Sequence, residues 1–385
     1  MSQFDATEVR LTWRSPLVER LREAGTLRFG KVEIVLPRSF GFCWGVDRAL
    51  AMVEETRKMH VGRPLWLISS IIHNPRVNED LRRKGVRFLR GEHAEEGAWD
   101  RLGPGDVVIV PAFSAPVEDL ERLAARRVTV VDTTCPWVIK PHKRTLKYVK
   151  EGFTTVIHGT VGHEETEATC SLILHEGGAF VVVYSLGQAE VLARVIEGGA
   201  GIEELRAALP ARAFSPDFAA ERDFARIGVI NQTTMLARES RAIGDRLRAA
   251  LAWRDGESGL ERSFRDFDTI CRATQDNQDA AQAVAETAPD LLLVVGGYDS
   301  SNTKNLARVG DEAGVPAFHI EGPDCLHPHE VTHRERSSGR IVRQAGWLPL
   351  RRPLRVAFSA GASTPDALLG ETIARLLALA GEKGD

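Results

Sequence analysis

The sequence predicts a parallel α/β protein of two or three domains. From Lys31 onward, short apolar runs alternate with longer charged stretches in which apolar residues recur every three to four positions, the pattern of strands joined by crossover helices. The length, 385 residues with 43% apolar side chains, suffices to bury more than one core. Three cysteines share one local address, between an apolar run and a helical one. In parallel sheets that address is the carboxyl edge, where ligands bind.

Taken in order, residues 1–30 are read as a partly helical N-terminal extension. Asp5, Glu8, Glu19 and Glu23 stand among its basic residues, whereas an organelle transit peptide is poor in acids. Strands are expected over 32–36, 65–72, 107–111, 128–131, 154–157, 180–184, 227–230, 291–295 and 355–358, where β-branched and large apolar residues run together. Helical periodicity covers 47–60 and 239–251, and Gly-rich or Pro-rich loops are expected at 103–105, 198–201 and 349–353. No clean linker marks a domain boundary.

Composition excludes several classes. Fifty basic against 53 acidic residues leave a net charge of −3, without the basic footprint of a nucleic-acid binder. Five cysteines, at 43, 135, 170, 271 and 325, are too few and too scattered for a secreted disulfide framework, and no signal peptide precedes them. No apolar run approaches the ~20 residues of a membrane span. The expectation is a soluble cytoplasmic protein with neither nucleic acid nor membrane as partner.

Val131-Asp132-Thr133-Thr134-Cys135 and Phe267-Asp268-Thr269-Ile270-Cys271 both read as an apolar residue followed by D-T-x-C, and Cys43 in G-F-C-W-G-V-D-R-A lies between an apolar run and a helix. A cysteine at a helix start meets backbone N–H groups and the positive dipole end, which favour the thiolate that binds metals or attacks electrophiles. Separations of 92 and 136 positions match no zinc-finger or ferredoxin signature. Spacing alone therefore fits three ordinary half-buried cysteines equally well, and the shared context is what raises the chemical reading. Cys170 and Cys325 lack that context and read as small apolar residues.

The same strand ends collect polar side chains: His73-Asn74, His158 with G-H-E-E-T (162–166), N-Q-T-T (231–234), G-G-Y-D-S-S-N (296–302) and S-A-G-A-S-T-P-D (359–366). Each sits before a helix N-terminus, where hydroxyls, amides and imidazoles together make an anion site, although each alone reads as a cap. A small phosphorylated substrate fits better than a nucleotide, since no P-loop or G-x-G-x-x-G turn is present. Among Glu164, Glu165 and Glu167, which alone would read as a solvated face, Glu165 is the candidate to relay protons. Cys325-Leu326-His327-Pro328-His329, with His333 beyond, has metal-like composition but is read as a solvated loop in a basic stretch.

With these residues assembled, the chain resembles the 4-hydroxy-3-methylbut-2-enyl diphosphate reductase family, the last enzyme of the methylerythritol phosphate route to isoprenoids. The matching segments, in family order, are G-F-C-W-G-V-D-R-A (41–49), S-S-I-I-H-N-P (69–75), V-D-T-T-C-P-W-V (131–138), H-E-E-T-E-A-T (163–169), N-Q-T-T-M-L (231–236), I-C-R-A-T-Q-D-N-Q-D-A (270–280), G-G-Y-D-S-S-N-T (296–303) and S-A-G-A-S-T-P-D (359–366). The resemblance implies three similar α/β domains in pseudo-threefold arrangement, over 31–131, 132–267 and 268–385, around a [4Fe-4S] cluster held by Cys43, Cys135 and Cys271. It implies reductive dehydroxylation of the allylic diphosphate to isopentenyl and dimethylallyl diphosphate, with electrons from a carrier such as ferredoxin or flavodoxin. His73, His163, Ser300, Ser301, Asn302 and Ser363 would hold the diphosphate. Glu165 would relay protons, with Thr233 orienting it or the substrate.

One departure concerns function. Many bacterial members carry S-A-H-G after the strand at 107–111, and its histidine contacts the diphosphate; here the segment is F-S-A-P-V, with Pro116 in that place. Proline offers no donor. The F-C-W-G, H-E-E-T and N-Q-T-T-M spellings resemble the plant and cyanobacterial branch, which also lacks that histidine. Two other readings stand beside the reductase: a cluster-bearing sensor on the same fold without turnover, and a zinc hydrolase using Cys43, Cys135, Cys271 and His73.

Overall fold

A computed structural model describes residues 12–349 and 353–382. The first eleven residues of the expected extension, and 350–352 of the expected loop, lie outside the described residues. The chain divides into two units: one takes Met1–Val61, Ser70–Val86 and Arg272–Asp385, the other Gly62–Ser69 and Arg87–Cys271.

The second unit holds two four-stranded, all-parallel sheets. One runs Arg87–Phe88, Leu65–Leu67, Val107–Val110, Thr129–Asp132 and leads to Cys135. Trp66, Ile68, Val108, Val110 and Leu123 are buried in its core. The other runs Phe264–Asp266, Ile227–Asn231, Thr154–His158, Phe180–Val183 and leads to Cys271. Val156, Val181, Val229, Ile243 and Leu247 are fully buried there. Strands covered on both faces by crossover helices read as unbroken apolar runs, which is why all four central ones were visible as sequence.

The first unit holds a seven-stranded sheet in the order Thr26–Phe29, Val32–Val35, Leu354–Ala360, Leu291–Val295, Ala317–Ile320, Glu330–Arg334, Ile341–Ala345. The four consecutive strands from Val32–Val35 to Ala317–Ile320 are parallel, and Thr26–Phe29, Glu330–Arg334 and Ile341–Ala345 pair antiparallel with their neighbours. Val32–Val35, which leads to Cys43, pairs with a strand more than three hundred residues later, so sheet membership and consecutive sequence blocks are different divisions of the chain. The N-terminal extension is partly helical as expected: Ser15 caps Pro16–Ala24 by accepting from the Val18 N–H, and Pro16 occupies the first turn. Val18 and Leu21 are fully buried in the core of this sheet.

All nine expected strands exist, with two corrections nearby. The run at 65–72 forms a strand only over Leu65–Leu67. In the first unit the Asn78 side chain accepts from the Ile71 N–H (3.0 Å) and donates to the carbonyls of Ile72 (2.9 Å) and Asn74 (3.0 Å), so these backbone groups bind an amide instead of a ladder. The stretch from Cys325, expected as a solvated loop, forms a short helical turn (Pro323–Cys325) and then a hairpin, Glu330–Arg334 with Ile341–Ala345, in which Leu326, Val331 and His333 are buried. No helix among the described residues is long and apolar enough to cross a membrane.

Candidate active site

The three candidate ligand cysteines are built alike. Cys43 and Cys135 are the N-cap residues of Trp44–Met59 and Pro136–Lys150, and Cys271 immediately precedes Arg272–Ala285. In each, the cysteine N–H donates to a carbonyl on the neighbouring strand's extension: Cys43 to Ala362 (3.2 Å), Cys135 to Ala112 (3.0 Å) and Cys271 to Thr233 (3.1 Å). Each acceptor lies two residues beyond a strand end, Ala360, Val110 and Asn231, and that strand pairs in parallel with the one feeding the cysteine. The thiols are half-buried and outside any disulfide.

The D-T-x-C turns explain the repeated motif. Asp132 accepts from the Thr134 N–H (2.8 Å) and Asp268 from the Ile270 N–H (2.9 Å), local Asx turns that end the strand. Thr133 donates its hydroxyl to the Val110 carbonyl (2.6 Å), and Thr269 donates to the Asn231 carbonyl (2.5 Å) while accepting from the Asn231 N–H (2.7 Å). Both threonines are fully buried. The pinning role of these threonines escaped sequence reasoning, although the repeated letter was its signal.

Within the second unit, Glu165 lies in the first turn of Glu164–His175 and is 2% exposed. Its carboxylate accepts from the Thr233 N–H (2.7 Å) and hydroxyl (2.8 Å). Burial raises its pKa to about 7, against the lowering effect of the two Thr233 bonds. Because the Thr233 carbonyl accepts from Cys271, one residue joins the carboxyl to a cysteine turn. Gln232 supports it, accepting from the Thr160 N–H (2.9 Å) and donating to Thr234 (2.8 Å). His163, the N-cap of the same helix, accepts from the Glu165 N–H at Nδ1 (3.2 Å), which leaves the proton of the neutral ring on Nε2. Phe113, beside the residue that accepts from Cys135, packs edge-on to His163 with centroids 5.8 Å apart. Pro116 is the N-cap residue of Val117–Ala125 and makes no side-chain cap bond.

In the first unit, Ser300 caps Ser301–Glu312, accepting from the Thr303 N–H (3.2 Å) and hydroxyl (2.9 Å). Asn302 accepts from the Ala362 N–H (2.9 Å), and the Ala362 carbonyl accepts from Cys43, so this cysteine turn too is tied to a polar candidate through one residue. The Asn302 amide nitrogen is buried and meets no acceptor among the described residues; the same holds for Asn74 and Asn277. Buried donors are normally satisfied, so these are unspent groups, one of them, Asn277, on a residue to which sequence reasoning gave no role. His73 is half-buried, and a Cβ at Gly297 would lie 2.6 Å from its carbonyl oxygen, so glycine lets the two loops touch. Ser301 is buried and Ser363 half-buried.

The sheets, the cysteine turn repeated at three strand ends and the buried carboxyl define a class: a parallel-sheet α/β protein with thiols at its strand ends and, in its second unit, a carboxyl whose pKa is raised to about 7. Comparison with known proteins gives the family. Residues 34–377 match the model of the LytB protein family. The 4-hydroxy-3-methylbut-2-enyl diphosphate reductase of Gloeobacter violaceus is 41% identical over 97% of this chain and 89% of its own length, and that of Thermosynechococcus vestitus 39% identical over 95% and 90%. A solved structure of (E)-4-hydroxy-3-methyl-but-2-enyl diphosphate reductase, described as the terminal enzyme of the non-mevalonate pathway, is 26% identical over 90% of this chain and 99% of its own, with a TM-score of 0.53. The reductase from Plasmodium falciparum, 21% identical over 90% and 88%, shares the fold with a TM-score of 0.65. This chain belongs to the LytB family of 4-hydroxy-3-methylbut-2-enyl diphosphate reductases.

Proposed function

We propose that the chain catalyses the reaction for which its relatives are named, reduction of 4-hydroxy-3-methylbut-2-enyl diphosphate to isopentenyl and dimethylallyl diphosphate. The chain is an oxidoreductase of the non-mevalonate isoprenoid route. The balance is simple: a C–O bond breaks, two electrons and two protons enter, and water leaves. Cys43, Cys135 and Cys271 fit a [4Fe-4S] cluster, being soft donors outside disulfides on backbones pinned the same way. Bound there, such a cluster supplies electrons and, with three cysteine ligands, one iron open to act as a Lewis acid.

The chain's own residues would do the rest. Glu165, with a pKa near neutrality, holds a proton at a carboxylate oxygen and delivers it to the departing hydroxyl or to the allylic carbon. Thr233 fixes both carboxylate oxygens through its N–H and hydroxyl. His163, with its Nε2 proton, and His73, Ser300, Ser301, Asn302 and Ser363 would bind the diphosphate as neutral donors. The observation that supports the reading is that Thr233 binds the Glu165 carboxylate with its N–H and hydroxyl while its carbonyl accepts from the Cys271 N–H.

The electrons would come from a one-electron carrier of the ferredoxin or flavodoxin kind. The test is purification without oxygen, analysis of iron, sulfide and zinc, and an assay with the hydroxy-diphosphate and a chemical reductant. Both isoprenoid diphosphates are expected from iron-and-sulfide-loaded protein. Zinc without sulfide points to a hydrolase, and loaded protein without turnover points to a sensor; either result overturns the proposal.

A further inference from the structure

We propose that the face formed by the helix Pro136–Lys150 and Phe267 is the docking surface for a small acidic one-electron carrier protein. The inference rests on the reductase reading, which requires such a carrier, and locates it on this chain.

Charge is the first argument. Lys140, Lys143, Arg144 and Lys147 line a groove of about 420 Å³ together with Phe267. Lys147 faces Glu151 at 3.6 Å, but Lys140, Lys143 and Arg144 meet no carboxylate among the described residues. Several arginines elsewhere are paired: Arg246 binds Glu190 and Glu197, Arg22 binds Asp366, and Arg254 binds Asp255. In a chain of net charge −3, a local excess of positive charge is a feature of this surface and not of the composition. It would steer an acidic partner and accelerate encounter.

Composition is the second argument. The Arg144 guanidinium lies 3.7 Å from the Phe267 ring centroid, and the Lys140 ammonium lies 5.0 Å from Phe267 and 5.4 Å from Trp137. Trp137 is 38% exposed. Aromatic rings and an arginine inside a charged rim are the residue types that carry binding energy at protein interfaces.

Placement is the third. The helix begins at Cys135, and its rise puts Lys140 to Lys147 about 8 to 18 Å along the axis from that residue. Phe267 precedes Asp268, whose carbonyl accepts from Lys140 at 3.4 Å; Asp268 opens the turn to Cys271. The patch therefore borders two of the three proposed ligand turns. Tunnelling decays exponentially with distance, so a carrier gains rate by docking there.

The test titrates the anaerobic, iron-loaded enzyme calorimetrically at low salt with an acidic [2Fe-2S] ferredoxin and, separately, with an acidic flavodoxin. It compares wild type with the charge reversal Lys143→Glu/Lys147→Glu and the milder Lys143→Ala/Lys147→Ala. For at least one carrier the reversal is expected to weaken binding at least tenfold and to slow carrier-driven turnover to a similar degree, with iron content and turnover on reduced methyl viologen unchanged. The alanine pair should give a smaller loss in the same direction. Unchanged affinity of both variants for both carriers overturns the proposal, as does equally tight, equally charge-dependent binding of an RNA oligomer. Failure of the reductase reading is distinguishable, because it removes the viologen-driven turnover of wild type itself.

Discussion

Glu165 sits under two opposing influences. Burial favours the neutral acid, the two donors of Thr233 favour the carboxylate, and burial wins, which lifts the pKa to about 7. Sequence reasoning chose Glu165 over Glu164 and Glu167 from its place beside His163 and the threonines, and the family resemblance agreed; the physical discriminator is burial, since Glu164 and Glu167 are half-exposed, and burial is a tertiary property no single sequence displays. A proton donor with this pKa is loaded below neutrality, so kcat should fall as pH rises through about 7, measured with a chemical reductant. Glu165→Gln should lose roughly 100-fold or more of kcat with iron content unchanged, and its residual rate should lack that descending limb. Stability carries the same sign: a carboxyl whose folded pKa is raised contributes fully below its unfolded value, near 4.5, and loses that contribution as pH rises through 7. Urea titrations should therefore show Glu165→Gln gaining on wild type by roughly 3 kcal/mol between pH 4 and 8. Thr233→Val removes one of the two bonds that favour ionisation and leaves the backbone N–H. The descending limb should then move to higher pH, and a move to lower pH would contradict the assigned balance.

At the scale of elements, the recurring unit is strand, turn, cysteine and helix, with the cysteine N–H bound to the neighbouring strand's extension. Central strands such as Leu291–Val295 were legible because burial on both faces leaves an unbroken apolar run. Six strands were not: Thr26–Phe29, Arg87–Phe88, Phe264–Asp266, Ala317–Ile320, Glu330–Arg334 and Ile341–Ala345. Most are at sheet edges, are short, or alternate charged with apolar residues, as Glu330–Arg334 does, so what defines them is a partner strand and not their own composition. The cysteine turns were legible as D-T-x-C, but why threonine stands second was not, because its partners are backbone groups of another strand. Thr269→Val leaves the Asn231 N–H and carbonyl without the hydroxyl that serves both. A loss of about 1–3 kcal/mol is expected in chemical denaturation, together with faster loss of iron under a chelator. Unchanged iron retention would limit the threonine to a structural role.

At the scale of the whole molecule, the length that allowed two or three domains resolves into three sheets, two all-parallel and one mixed, each with a strand that leads to one cysteine. The Cys43 sheet draws strands from both ends of the chain, a long-range pairing that sequence blocks cannot express. The supposed extension contributes Val18 and Leu21 to its core. The proposed cluster, bound to Cys43, Cys135 and Cys271, would close two long loops and stabilise the folded chain by mass action. Removing the cluster with an anaerobic chelator should lower the thermal midpoint of wild type. Cys135→Ser should contain less iron as purified, because an alkoxide is a poorer soft-metal ligand than a thiolate, and should melt near the stripped wild type with little further change on chelation. Cys170→Ala supplies the contrast: burial pushes that thiol's pKa upward, which disfavours the ligating thiolate, so its iron content should match wild type whatever its loss of packing stability. Wild-type iron content in Cys135→Ser, or an iron deficit confined to Cys170→Ala, would assign the site to other cysteines than those that share the strand-end turn.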